Sequence, residues 1–287
     1  MRSPGEARPR AAYGAGRPVG ARDDRAPARH PGQGAADDRW PEIPAGVTPD
    51  QLDPEARAEL RTLPGDLADA VARRLVAAGL EEDPARAYRH AQAARRLAAR
   101  VGIVREASGI AAYHAGEWAE ALTELRAARR LTGRGSYLPL MADSERALGR
   151  LDRALELVTG PDSRGLDRAT TIELRIVESG IRRDQGLPDA AAAALQVPEL
   201  TNGRGGPESA RLFYAYADAL LDAGREDEAL DWFGRAAAAD TDGTTDAAER
   251  FEELDPAVFD YLADSEDPEG SEDPDDPQVT PAGEDHD

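Results

Sequence analysis

The stretch Gly224-Arg-Glu-Asp-Glu-Ala-Leu230 has three related copies along this chain. The copies are Gly116-Glu-Trp-Ala-Glu-Ala-Leu122, Gly149-Arg-Leu-Asp-Arg-Ala-Leu155 and Gly186-Leu-Pro-Asp-Ala-Ala-Ala192. Each begins with Gly and has Ala as its sixth residue, at spacings of 33, 37 and 38 residues, which gives Ala121, Ala154, Ala191 and Ala229. A repeat of about 34 residues is typical of stacked helix pairs rather than of a closed catalytic domain. The repeat therefore predicts an array of helix pairs and argues against an enzyme.

Apolar residues between Asp66 and Asp240 follow the period of an α-helix. They recur at i, i+3, i+4 and i+7, as in the stripe Phe213, Tyr216, Ala217 and Leu220. The stripes are interrupted by clusters of Gly, Pro and Asp, which end helices and begin turns. No stretch alternates apolar and polar residues as a β-strand does. We therefore expect an all-α chain without a sheet.

The same positions resemble the tetratricopeptide repeat family, which combines large and small residues at fixed places in a 34-residue unit. The best match is residues 210–243, where the pattern is carried by Phe213, Tyr216, Ala217, Leu220, Ala229, Phe233 and Ala236. Partial matches are 102–135 with Trp118 at its turn, 135–168, 172–205 and a degenerate unit at 68–101. The first helices of 102–135 and 172–205 match only when shifted by one residue. The resemblance implies an α-solenoid of four to five tetratricopeptide-like helix pairs.

For function, the resemblance implies binding of a peptide or protein in the concave groove of the solenoid. First helices line that groove, which selects as candidate partner-binding residues Glu106, Ile110, Tyr113, Asp143, Arg146, Arg183, Arg211, Tyr214, Asp218 and Leu221. The alternative is that these side chains are solvated or pair with one another. The family's clamp for a peptide carboxylate uses Lys, Asn and Arg. It is not carried over, because the chain has no Lys and its only Asn is Asn202.

The two ends differ in composition from the predicted repeat domain at 46–250. Residues 1–45 are rich in Arg, Gly and Pro and poor in large apolar residues, so we expect them to be disordered. The stripe Phe251, Leu254, Val258, Phe259 and Leu262 favours a capping helix over residues 251–263. A short acidic–hydrophobic motif that binds another protein is the alternative. Residues 264–287 are mostly Asp, Glu, Pro and Gly, which predicts a disordered acidic tail.

Charge is distributed unevenly along the chain, whose net charge is −21. An Arg-rich run extends from Arg86 to Arg134. It is either a solvated face or an anion-binding surface for an acidic protein or nucleic acid. Since the tail has the opposite charge, we hypothesise that it docks on this face. Deleting residues 263–287 would then raise affinity for an anionic partner at low salt. An accessory role with RNA or the ribosome, using the Arg-rich segments, is the alternative function.

Residue sets typical of catalysis or metal binding are missing from the sequence. The chain has no Cys, which excludes disulfides and thiolate metal sites. His114 lacks a second ligand at a useful spacing. The stretch 240–246 resembles a calcium loop, but Gly is at its fourth place and Phe251 at its twelfth. We therefore expect no metal, no cofactor and no enzyme activity, but a protein–protein interaction scaffold.

The sequence also bears on the cellular location. It starts without the apolar stretch of a signal peptide, and no apolar run approaches the roughly 20 residues that a membrane span needs. All 35 basic residues are Arg, as the composition of a GC-rich genome favours. We expect a cytoplasmic protein without membrane contact, and the sequence leaves its partner and oligomeric state open.

Overall fold

The computed structural model describes residues 40–201 and 207–255, and within these ranges the chain is helical and has no strand. Its α-helices are α1 (Pro54–Glu59), α2 (Gly65–Leu80), α3 (Pro84–Ala98), α4 (Gly102–His114), α5 (Trp118–Thr132), α6 (Leu138–Ala147), α7 (Leu151–Thr159), α8 (Arg168–Asp184), α9 (Pro188–Ala194), α10 (Pro198–Thr201), α11 (Pro207–Asp222), α12 (Glu226–Ala239) and α13 (Ala247–Leu254). The predicted all-α class is confirmed for this part of the chain. The predictions for 1–39, for 256–263 and for the tail at 264–287 lie outside the described residues.

The glycine of each repeated stretch ends the first helix of a pair. All four glycines have φ in the left-handed region, with 75°, 72°, 74° and 72° for Gly116, Gly149, Gly186 and Gly224. A residue with a Cβ adopts this conformation only at a cost. The residue after each glycine donates its N–H to the carbonyl five residues earlier, as Glu117 does to Ala112 at 2.9 Å. This Schellman arrangement satisfies the last carbonyls of the helix and reverses the chain.

Consecutive helices pack as neighbouring pairs, which are α2 with α3, α4 with α5, α6 with α7, α8 with α9, and α11 with α12. The first helix of each pair also contacts the first helix of the next pair. The second helix of each pair contacts the following first helix as well. The first helices α2, α4, α6, α8 and α11 therefore stand in one row, and each pair is stabilised by its neighbours.

Small residues let the two helices of a pair approach closely. The repeated alanines Ala121, Ala154, Ala191 and Ala229 have no exposed surface. A Cβ at Gly109 of α4 would lie 2.7 Å from Leu125 Cγ and 3.1 Å from the Leu125 backbone nitrogen on α5. A larger residue would therefore force the two helices apart. The residue seven places before each turn glycine is small in all four pairs, as Gly109, Ala142, Ser179 and Ala217. The small position therefore lies at the same distance from the turn glycine in all four pairs.

Aromatic side chains fill the core around α11 and α12. Phe233 is fully buried, and its ring meets the edge of Tyr214 with centroids 5.4 Å apart. The half-buried Trp232 contacts Phe213 and Tyr216, with centroid distances of 5.3 and 5.1 Å. The large residues of the best-matching repeat unit thus contact one another across one helix pair.

Helix α13 packs on α12, and it begins at Ala247, before the range 251–263 expected for a capping helix. Phe251 lies so close to α12 that a Cβ at Gly234 would be 3.1 Å from its ring. The preceding turn is held by Asp240, whose carboxylate accepts bonds from the backbone and hydroxyl of Thr244 at 2.8 Å and of Thr245 at 2.6 Å. In the stretch that resembles a calcium loop, this carboxylate therefore stabilises the turn after α12.

Residues 40–45, which we expected to be disordered with the N-terminal segment, lie against α2 and α3. The Arg96 guanidinium lies over the Trp40 ring, 4.6 Å from its centroid. Arg74 donates a hydrogen bond to the Pro41 carbonyl, and Ile43 packs on the core beside α2. The expected boundary is wrong for these residues, because their partners on α2 and α3 are distant in sequence.

Candidate functional site

All ten candidate partner-binding residues lie on first helices. Seven of them occupy two positions that are counted back from the turn glycine. Three places before the glycine are Tyr113, Arg146, Arg183 and Leu221. Six places before it are Ile110, Asp143, Gly180 and Asp218. Residues three apart share a helix face. At the three junctions between α4, α6, α8 and α11, the first position of one helix contacts the second position of the next.

Arg146 on α6 connects its own helix to α8. Its Nη1 donates to Asp143 Oδ1 at 2.6 Å, and its Nε donates to Asp184 Oδ2 at 2.7 Å. Gly180 makes room for this guanidinium, since a Cβ there would lie 3.0 Å from Arg146 Cζ. Tyr113 on α4 donates its hydroxyl to the other oxygen of Asp143. Three consecutive first helices are thus joined by polar side chains.

Arg183 on α8 makes the same bridge one pair further along the chain. Its Nη1 donates to Asp218 Oδ2 at 2.8 Å, and its Nε donates to Asp222 Oδ2 at 2.6 Å, both on α11. In the last pair Leu221 occupies the position of the arginine, and Arg250 of α13 lies 3.9 Å from Asp218 Oδ1. We call this set the polar ladder, and its members are Tyr113, Asp143, Arg146, Asp184, Arg183, Asp218 and Asp222.

Burial and neighbouring charges shift the pKa values of several residues of the polar ladder. Burial alone would lower the pKa of Arg146, but the carboxylates of Asp143 and Asp184 outweigh it and raise that pKa. Burial raises the pKa of Tyr113 well above its ordinary value, and Asp143 adds to the effect, so the phenol remains a donor. Burial also raises the pKa of Asp218, against the opposing charge of Arg183.

Two further candidates on α4, Glu106 and Ile110, contact neighbouring elements. Glu106 accepts hydrogen bonds from Arg134 Nη1 at 2.8 Å and from the Tyr137 hydroxyl at 2.6 Å. Ile110 is half-buried and packs on the cluster between α5 and α6. Glu106 thus connects α4 to the loop that follows α5.

The remaining candidates lie on α11. Arg211 pairs with Glu173 of α8 at 2.8 Å, and Leu221 packs at the margin of the aromatic core. Tyr214 is buried in that core, where burial raises its pKa. Together with Asp143 and Asp218, Tyr214 lies in the interior. These three residues were expected to line the groove, but they pack between helices instead.

The face of the row still presents charged groups to solvent. The Asp184 side chain is 42% exposed and that of Asp222 is 37% exposed, although both accept a bond from the ladder. Arg211 is 36% exposed. A partner on this face would therefore first meet Asp184, Asp222 and Arg211, which lie on or at the ends of successive first helices.

Two glutamates that the sequence did not single out are almost fully buried. Glu124 on α5 has no exposed surface. It accepts a hydrogen bond from Arg105 at 2.7 Å and forms an ion pair with Arg95 at 3.1 Å. Glu145 on α6 is also buried, and its partners are Arg126 at 2.5 Å and Arg150 at 3.2 Å. Glu145 occupies a place in the repeat where the family has an apolar residue. An acid at a place that is normally apolar is a sequence signal of a buried ion pair, because a buried acid needs a basic partner.

The Arg-rich run is largely paired within the described residues. Besides the partners of the two glutamates, it forms the pairs Arg86–Glu81, Arg95–Glu120, Arg129–Asp162, Arg134–Glu59 and Arg134–Glu106. These contacts favour the structural interpretation of the run over a free anion-binding face.

His90 on α3 is a further buried polar residue that the sequence did not single out. Arg74 Nη1 lies 3.1 Å from His90 Nδ1. A guanidinium only donates, so the neutral ring accepts there and carries its proton on Nε2. That Nε2 is buried without a partner in the described chain. Burial, and then the charge of Arg74, lower the pKa of His90.

We expect the free energy of unfolding to fall on acidification. The folded-state pKa of His90 lies below its ordinary value of about 6.5, so below that pH the unfolded chain binds more protons. Its contribution is full above about pH 6.5 and is lost as the pH falls towards the folded-state pKa, with a slope of at most about 1.4 kcal/mol per pH unit. Urea unfolding at a series of pH values measures this slope.

The matched variant is His90→Gln, which does not titrate and keeps an acceptor for Arg74. The variant should show a smaller dependence of the unfolding free energy on pH. Some dependence should remain, because burial also lowers the pKa of His114. A slope that is equal in the variant and the natural chain would show that His90 does not carry the effect.

No group of three or more His, Asp or Glu side chains is placed to hold a metal ion in residues 40–201 and 207–255. In the same ranges, no helix has both the length and the apolar character that crossing a membrane requires.

Comparison with known proteins adds no relative. No protein-family model matches the chain, and no curated protein matches it. The resemblance to tetratricopeptide repeats therefore rests on the residues of this chain.

Proposed function

We propose that this chain is a non-catalytic interaction scaffold, an α-solenoid of tetratricopeptide-like helix pairs that binds a protein or peptide across its row of first helices. The observation that carries the proposal is the polar ladder. The same Arg–Asp bridge joins α6 to α8 and α8 to α11. It holds successive first helices side by side, so that their exposed groups share one continuous face.

An extended partner suits such a face because it can contact several helix pairs at once. The exposed carboxylates of Asp184 and Asp222 lie at equivalent places of neighbouring pairs, two residues before the turn glycine. Each of these carboxylates pairs with an arginine but stays partly exposed to solvent. It therefore favours hydrogen-bond donors on the partner, such as Arg, Lys or free backbone N–H groups. The partly exposed guanidinium of Arg211 can donate a hydrogen bond to an acceptor on the partner.

The double substitution Asp184→Ala and Asp222→Ala tests the proposal. Each removed pair is partly exposed, so we expect little loss of stability, at most about 1 kcal/mol per pair. Recovery of the partner should fall by about tenfold or more, because two contacts are lost at once. The measurement is affinity capture from native lysate by the full chain, treated with nuclease, with quantitative mass spectrometry of what is recovered.

The matched control is Asp152→Ala with Glu156→Ala, which removes two exposed carboxylates from the second helix α7. A nuclease-resistant partner that the control keeps and the test variant loses supports the proposal. Equal recovery by both variants would contradict binding at this face.

The alternative function, an accessory role with RNA, has one observation in its favour. Arg126, Arg129 and Arg130 line a shallow hollow of about 430 Å³ with Gly133 and Met141. Arg126 and Arg129 are paired with Glu145 and Asp162, which weakens the field of the hollow. If capture is lost on nuclease treatment, this hollow is the place to substitute next.

A further inference from the structure

A pocket of about 360 Å³ lies near the N-terminal end of the described chain. It is bounded by α1, by the C-terminal half of α2, by α4 and by the loop after α5. None of the polar ladder residues lines it. Ligand pockets span about 300–1,000 Å³, so this one lies at the small end of that range.

The floor of the pocket is apolar. It is formed by buried side chains of α1, α2 and α4 and of the turn before α1, which are Ala56, Leu75, Val76, Ile103 and Leu52. Leu80 at the end of α2 also lines it and is 64% exposed, although large apolar side chains normally avoid water. An apolar group that entered the pocket would bury Leu80 and the floor together.

The rim of the pocket carries an excess of negative charge. Arg134 donates to Glu59 Oε1 at 3.1 Å and to Glu106 Oε2 at 2.8 Å, so that two carboxylates share one guanidinium. Asp53 adds a third carboxylate to the lining, and Arg134 is its only cation among the described residues. In a cleft with apolar walls this imbalance attracts a positively charged group.

The pocket is continuous with the face of the first helices. Ile103, Glu106, Ile110 and Tyr113 recur at the spacing of one helix face along α4. The first two line the pocket, and Tyr113 belongs to the polar ladder. A chain segment that followed this face of α4 would therefore run from the ladder to the pocket.

We propose that the pocket binds an anchor of the partner, a large apolar side chain followed directly by Arg or Lys. The apolar side chain occupies the floor beside Leu80, and the cation meets Glu106, Glu59 and Asp53. A small pocket filled by one side chain is typical of the anchors that dominate binding energy at interfaces. This inference rests on the proposed function, since it describes part of the same partner.

The test uses the full chain and blocked tetrapeptides, acetylated and amidated, with a dye for fluorescence anisotropy. The probe has Phe-Arg as its central dipeptide. One comparison peptide has Gly-Arg, which lacks the apolar side chain, and the other has Phe-Glu, which lacks the cation. We expect the Phe-Arg peptide to bind about tenfold more tightly than either of them. Equal binding of the three peptides, or no binding at millimolar concentration, would overturn the proposal.

Two variants locate the binding. Leu80→Ser removes the exposed apolar wall, and Glu106→Gln removes one negative charge while keeping an acceptor for Arg134 and Tyr137. Each should weaken binding of the Phe-Arg peptide by about fivefold or more. The control Leu97→Ser, at a leucine of α3 that is 47% exposed, should leave binding unchanged. Circular dichroism confirms that each variant is folded. If Leu97→Ser weakens binding as much as Leu80→Ser, the peptide binds elsewhere and the proposal fails.

Phenethylammonium serves as a second probe, since it joins an aromatic ring to a cation without a peptide. If it binds as tightly as the Phe-Arg peptide, the pocket takes a small cation and the assignment to a partner segment is wrong. The two proposals also fail separately. Peptide binding without any captured partner would contradict the proposed function alone, and capture without peptide binding would contradict only the anchor.

Discussion

Replacing Phe233 by Ala lowers the free energy of unfolding by about 3–5 kcal/mol, the range expected when a fully buried aromatic side chain is removed from a core. Phe233 has no exposed surface. Its ring contacts Tyr214, and the Arg250 guanidinium of α13 lies over it, 5.1 Å from the centroid. The substitution thus loses the transfer energy of the ring, leaves a cavity and removes the support of two neighbouring helices.

Urea unfolding measures the total loss, and amide hydrogen exchange shows where it falls. Because each helix pair is stabilised by its neighbours, exchange should accelerate first in α11, α12 and α13. Leu131→Ala is the control. Leu131 is a large apolar residue that is half exposed, so its loss should cost about 0.5 kcal/mol or less. A cost below about 1 kcal/mol for Phe233→Ala would show that the aromatic core around α11 and α12 is wrongly described.

Replacing Glu124 by Ala should destabilise the chain by an amount near the lower end of about 3–5 kcal/mol. The carboxylate is fully buried and holds both Arg95 and Arg105. Its removal leaves Arg105 without its carboxylate partner and Arg95 with Glu120 alone. The two arginines are partly exposed, with side chains 35% and 22% accessible, so water solvates them in part and the cost stays at the lower end.

The chain offers a matched control for this prediction in Glu120→Ala. Glu120 accepts a bond from the same Arg95 at 2.6 Å, but its side chain is 34% exposed. Pairs exposed to solvent contribute about 0–1 kcal/mol, so this loss should be small. Unfolding of both variants at low and high salt measures the difference. Equal costs for the two substitutions would refute the argument from burial.

The outcome of the sequence predictions depends on how far apart the interacting residues are. The turn glycines could be identified because a Schellman turn is formed by residues within one stretch of six. The all-α class could be predicted because the apolar period is a property of each helix by itself. The polar ladder could not be predicted, since Arg146 and Asp184 are 38 residues apart and Arg183 and Asp222 are 39 apart.

Among the candidate site residues, the distinction between surface and interior was the main difficulty. Asp143, Tyr214 and Asp218 were expected in the groove because they lie on first helices, and the structure places them between helices. The alternative that candidates pair with one another describes Asp143, Arg146, Arg183 and Asp218. The sequence does not show whether a charged residue on a helix faces water or pairs with an opposite charge from the next helix pair.

The sequence by itself determined the helices, their turns and the small residues at close contacts, because these follow from backbone conformation and side-chain size within a few residues. Only the tertiary structure decided which charges are compensated and where a pocket forms. Arg134 meets Glu59 across 75 residues, and the pocket beside them needs α1, α2 and α4 in one place. Such contacts depend on the angle and register at which helices pack, and a shift of one residue in either helix would change every partner.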